Sequence, residues 1–206
     1  MVWKQLEKEN VSVVLDRLGT DPNAIVFTKE FTEVVWDELP FYPRFDLYRL
    51  VNYATMPSFS MEYLSDGNVF IPLDGTANPI YAINEESPIK LTEQNVVEYL
   101  EFFFSHVRGS DGDIYIIKDP EKMPGIESLD PEQQKSVKNS HKPLTVEAGA
   151  FPGQFIIRGT LFYSSCLISA TLRVSSEGRL SFIERDLLLR DIAFPHNAVN
   201  YYWMGE

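Results

Sequence analysis

Cysteine is nearly absent: Cys166 is the single one in 206 residues. Alone, it closes no disulfide within the chain and nucleates no zinc cluster. Its flanks, Tyr163-Ser164-Ser165 and Leu167-Ile168, read as strand, where a lone cysteine behaves as a small buried hydrophobe. Positive charge is also scarce. Eighteen Lys and Arg stand against thirty Asp and Glu, for a net charge of −12. No basic stripe exists to overcome the repulsion between this surface and a phosphate backbone, so nucleic acid and anionic membranes are poor partners. The excess is uneven. Residues 1–150 hold 25 acidic and 13 basic side chains, whereas 151–206 hold five of each.

Long apolar runs are missing too. Nowhere do eighteen uncharged apolar residues follow one another, so no transmembrane helix is expected. The opening Met1-Val2-Trp3-Lys4-Gln5-Leu6-Glu7-Lys8 mixes charges and has no signal-peptide core. The cytoplasm is the expected compartment. Phosphate-cradling glycine loops, a Gly-x-Ser-x-Gly elbow and an activated-cysteine setting are all absent. No cofactor is expected.

What the chain does have is core material. Hydrophobic residues make up 44%, including fourteen Phe, ten Tyr and three Trp. At this length, roughly 70% of the unfolded surface is buried on folding. We read 1–206 as a single domain of α+β class: a mostly antiparallel sheet carrying one main amphipathic helix over about 92–107, with a short N-terminal helix.

The N-terminal helix rests on Leu6, Val14, Leu15 and Leu18. The main helix rests on Val96, Val97, Leu100, Phe103, Phe104 and Val107, which recur at a 3.6-residue period opposite Glu98, Glu101 and Ser105. Thr92 is its expected N-cap. Strands are expected at 48–53, 60–64, 69–73, 80–83 and 114–117. Further candidates are 154–158, 160–165, 167–174 and 179–184. Asp66-Gly67 between two apolar runs signals a hairpin, and Pro72 points to an edge. The stretch 118–143 has four prolines and a polar composition, and reads as a surface excursion that includes a short helix opened by Asp130-Pro131.

Candidates for chemistry are few. His106 lies on the flank of the main helix with Asn95, Tyr99 and Phe102. That stripe is either packing, with His106 capping a carbonyl, or a pocket wall formed by Tyr99 and Phe102 with His106 as a proton carrier. Just beyond, Asp111 and Asp113 in a glycine-containing loop have the spacing to share a divalent ion, although Asp-Gly is also ordinary turn chemistry. Asp37-Glu38 reads as a solvated acidic doublet. The C-terminus, with Tyr201, Tyr202 and Trp203, is aromatic and poor in charge. It reads as folded-back core or as a surface docking a protein partner or a second subunit.

The expected function is a non-catalytic binding or accessory protein that presents an acidic surface. One alternative is a small metal-assisted hydrolase using His106, Asp111 and Asp113; another is a small-molecule carrier.

Overall fold

A computed structural model describes residues 2–19, 21–110 and 112–192. Tyr201, Tyr202, Trp203 and Asp111 lie outside these residues. The chain divides into two compact units, residues 1–90 and 91–206, each with its own antiparallel sheet. The α+β class with antiparallel pairing is therefore as expected. Among the described residues there are four helices, α1 (Lys8–Leu18), α2 (Asn78–Glu86), α3 (Val96–His106) and α4 (Pro131–Ser140); α1, α3 and α4 were expected and α2 is additional.

The first unit holds five strands in sequence order: β1 (Lys4–Gln5), β2 (Thr32–Glu38), β3 (Asp46–Asn52), β4 (Phe59–Ser65) and β5 (Phe70–Pro72). The Asp66-Gly67 turn joins β4 to β5 as expected, and Pro72 sits on the edge strand, where its missing N–H costs no ladder bond. Opposite residues share a face, and Val34, Leu50 and Met61 are aligned across the three central strands. Against that face α1 lays Val11, Val14 and Leu18, three positions spaced for one side of a helix. The helix starts later than the sequence pattern implies, because Lys4 and Gln5 pair with Trp36 and Val35.

Residues 80–83, expected as a strand, belong to α2. Pro79 opens that helix near N1, and Ile80, Ile83 and Asn84 are buried at helical spacing. Residues 24–27 fall in and beside a 3₁₀ turn at Pro22–Val26.

The second unit carries β6 (Ile114–Ile117), β7 (Thr145–Ala148), β8 (Phe155–Tyr163), β9 (Cys166–Val174) and β10 (Leu180–Leu189). The order is β10-β9-β8-β6, with β7 also on β8. β8 runs unbroken through Gly159, where two strands were expected. A Cβ there would stand 2.8 Å from the Leu144 side chain, so only glycine lets that leucine lie on the strand.

The β8–β9 hairpin turns on Ser164 and Ser165, both at positive φ (49° and 59°), between the opposed pair Tyr163 and Cys166. Such a two-residue turn suits Asn-Gly better than Ser-Ser, because a Cβ is disfavoured in the left-handed region. Replacing Ser165 with Gly is expected to stabilise the protein by about 0.5–1 kcal/mol, raising the calorimetric melting temperature by a few degrees. A lower melting temperature would contradict the turn assignment. Cys166 itself, expected in the core, is only half-buried, because it is the first residue after this turn.

The polar composition of 118–143 conceals a structural role. Met123, Ile126, Leu129 and Val137 are buried in one cluster with Ile117, Phe162 and Leu167 of the sheet. Asp130 caps α4 by accepting from the Gln133 amide at 2.8 Å. The segment returns to the sheet through Lys142, whose amide donates to Thr160 Oγ1 at 2.7 Å. Four apolar anchors spread over 26 residues escape a reading based on mean polarity.

Candidate functional site

The flank of α3, open to either packing or a pocket wall from its sequence, is largely buried. Thr92, the expected N-cap, lies one turn ahead of α3, whose N-cap is Asn95; the two bond reciprocally, the Thr92 amide donating to Asn95 Oδ1 at 2.7 Å and the Asn95 amide to Thr92 Oγ1 at 3.3 Å. From there Tyr99 and Phe102 are fully buried, and His106 nearly so. The Tyr99 hydroxyl donates to the Gly178 carbonyl at 2.7 Å, tying α3 to the turn before β10. His106 Nδ1 lies 2.6 Å from the carbonyl oxygen of Phe102, its own helix neighbour, with the two rings 4.5 Å apart. A carbonyl accepts, so Nδ1 holds the proton. Apart from Glu98, Glu101, Ser105 and the half-buried Val97, the helix is buried. The polar stripe is thus the one the periodicity implied, and the mixed flank packs.

Asp113 is half-buried at the entry to β6. Its carboxylate accepts from the Tyr115 hydroxyl; burial first, and then that neighbouring charge, raise the Tyr115 pKa. Gly109 and Gly112 close their turn on each other, with reciprocal backbone bonds of 3.0 and 3.4 Å. Among the described residues no group of three or more His, Cys, Asp and Glu side chains is gathered as a metal would need.

The acidic end of the first sheet is internally engaged. Asp37 is buried and accepts from the Val2 amide at 2.9 Å; Glu38 pairs with Lys4 at 2.6 Å. The expected solvated doublet is therefore partly structural. Asp46, opposite Glu38 across the β2–β3 pair, has a raised pKa, mainly from burial and then from Glu38. A raised carboxylate pKa means that the folded state binds protons more tightly than the unfolded one. Stability then falls as pH rises from the ordinary aspartate range through the folded pKa. Asp46→Asn is expected to raise the melting temperature at neutral pH by a few degrees, and this gain should vanish below about pH 4. An equal gain at both pH values would mean that the charge is not the cause.

One cleft, of about 240 Å³, lies between α4 and the end of β10. Asp130, Glu132, Gln133 and Arg190 dominate its wall beside Val137, Leu189 and Ile192. This lining is polar and differs from the apolar cavity that a carrier of hydrophobic molecules uses.

The sheet edges differ sharply in length. In the first unit the edges are β1 and β5, of two and three residues. In the second, the far side of β8 is divided between β6 and β7, of four residues each. Short edges offer little template for another strand. β10 is ten residues long and pairs only with β9 among the described residues. From Ser181 to Leu187 every residue is exposed, including Phe182 (36%), Ile183 (47%) and Leu187 (45%). The α4 cluster covers only its last residues, Leu188 and Leu189.

Extra residues at Ile183 and Leu188 break the register with β9, leaving 184–187 as a regular central stretch. The sequence pattern ended this strand at Glu184 because Glu184-Arg185-Asp186 interrupts the apolar residues. The available signal was Leu187-Leu188-Leu189 immediately beyond. No family model matches this chain, and none of the curated proteins or solved structures compared with it is similar.

Proposed function

We propose that this chain is a non-catalytic binding protein that docks a protein partner by adding an extended segment of it to the open edge of β10. The supporting observation is the length of that edge. Seven consecutive exposed residues with three large apolar side chains present a row of backbone donors and acceptors, while every other edge among the described residues is cut to four residues or fewer. Main-chain bonds along such an edge give affinity, and alternate side chains give selectivity. The net charge of −12 keeps the molecule dispersed despite the open edge. With one cysteine and no basic stripe, the reading assigns it to the cytoplasm and away from nucleic acid. Among the described residues no helix is long and apolar enough to cross a membrane.

The test is photo-crosslinking from the full chain in the cells that make it. A benzophenone side chain at position 183 is expected to form an adduct with a second polypeptide. The same group at position 98, on the polar stripe of α3, should form none. Absence of an adduct at 183 sinks the reading. A thermal-shift screen with calcium, magnesium, manganese and zinc separates it from a metal-assisted hydrolase, because a metal bound only to the folded state raises the melting temperature.

A further inference from the structure

We infer that the occupant of the β10 edge is an extended segment of a different polypeptide, carrying cationic side chains at alternate positions, and not a second copy of this chain. This rests on the edge-docking reading above. In an antiparallel pair, residues directly opposite share a face. The register with β9 therefore sorts the side chains of β10. Glu184 and Asp186 lie opposite Thr171 and Ser169 on one face. Phe182, Arg185 and Leu187 lie opposite Leu172, Ala170 and Ile168 on the other. The Arg185 guanidinium stands 5.1 Å from the centre of the Phe182 ring, consistent with a shared face.

A second copy pairing antiparallel about a twofold axis obeys the same rule, so over the regular stretch the axis must pass beside a residue. Centred on Arg185, that arginine meets its own copy and Glu184 meets Asp186. Centred on Glu184 or Asp186, identical carboxylates meet. Like charges directly opposite destabilise a strand pair. Centred on Leu187, the pairing runs into the irregularity at Leu188. The charged triplet thus acts against self-association, a common use of charge on open edges.

A partner strand removes every one of these conflicts if it puts Lys or Arg opposite Glu184 and Asp186, a carboxylate opposite Arg185, and apolar residues opposite Phe182 and Leu187. Two adjacent carboxylates on one face make the cationic requirement the dominant one. This is selection by electrostatic complementarity, with the repulsive terms excluding the wrong partner.

The experiment titrates the isotopically labelled full chain with two capped peptides. Thr-Val-Lys-Glu-Lys-Val-Thr matches the inferred pattern, and Thr-Val-Glu-Lys-Glu-Val-Thr reverses its charges. The matching peptide is expected to move the β10 amide resonances and to bind about tenfold more tightly than the reversed one, from opposite-charge pairs acting together. The double variant E184K/D186K should invert that preference, and Arg185→Glu should weaken binding of the matching peptide. All three positions are exposed, and an unchanged melting temperature verifies the fold of each variant.

Equal binding of both peptides overturns the charge argument and leaves the edge reading standing. Failure of both to bind overturns the two together. Two further results give the edge to another occupant and overturn the inference. One is a dimer of the free chain that dissociates on substitution at 184–186. The other is slow hydrogen exchange at the outward amides of β10 in a monomer.

Discussion

Leu50→Ala is expected to cost the first unit about 2–5 kcal/mol, the range for removing a fully buried leucine when its surroundings relax only in part. Leu50 has no exposed surface and sits at the centre of β3, flanked across the sheet by Val34 and Met61. It belongs to the cluster formed with Val11, Val14 and Leu18 of α1. Truncation therefore opens space where sheet meets helix, with strands fixed on both sides by their ladders. In a unit of about ninety residues, each kcal/mol moves the melting temperature by about 4–8 °C. A fall of at least about 8 °C is expected, read from the fluorescence of Trp3 and Trp36, which lie in the same unit. Val51→Ala, on the opposite and half-buried face, should cost no more than about 1 kcal/mol. Equal losses from the two substitutions would contradict the assignment of faces.

Val137→Asp is expected to be as damaging in the second unit, at about 3–5 kcal/mol, the penalty for a buried charge left without a partner. Val137 is the one buried residue of α4, fully enclosed with Met123, Leu129 and Phe162 in its cluster. Lys135→Ala, on the exposed side of the same helix, should change stability by no more than about 0.5 kcal/mol. Circular dichroism melts compare the two, and hydrogen exchange over 118–143 and β6 locates the loss. If Val137→Asp melts like the parent, this segment contributes nothing to the core and its reading as a surface excursion is restored.

These two positions also show how unevenly the fold could be read from the chain. The α3 period, the Asp66-Gly67 hairpin and the Asp130-Pro131 helix start are local signals, set by backbone geometry within a dozen residues. They were legible. Ile80-Tyr81-Ala82-Ile83 was not, because four apolar residues fit strand and helix alike, and Pro79 was the deciding cue. Val137 was hidden by its polar neighbours, since burial of one side chain depends on what folds over it. Gly159 looked like a strand break and is instead a close approach by Leu144, a residue fifteen positions earlier.

The candidate site divides in the same way. Tyr99, Phe102 and His106 formed a stripe whose composition suits a wall or a core equally. Only the Gly178 carbonyl beside the Tyr99 hydroxyl, and the burial of Tyr99, Phe102 and His106, set these side chains among packed neighbours. The β10 edge had no signal of its own, because a strand's neighbours are absent from its sequence. Composition and local spacing determined the α+β class, the acidic charge, the start of α4 and the Asp66-Gly67 turn, each of which depends on groups close along the chain. Tertiary structure alone decided that the chain forms two sheets and that His106 is enclosed. It also decided which strand keeps an open edge and which faces its charges occupy, since these depend on pairings between residues far apart in sequence.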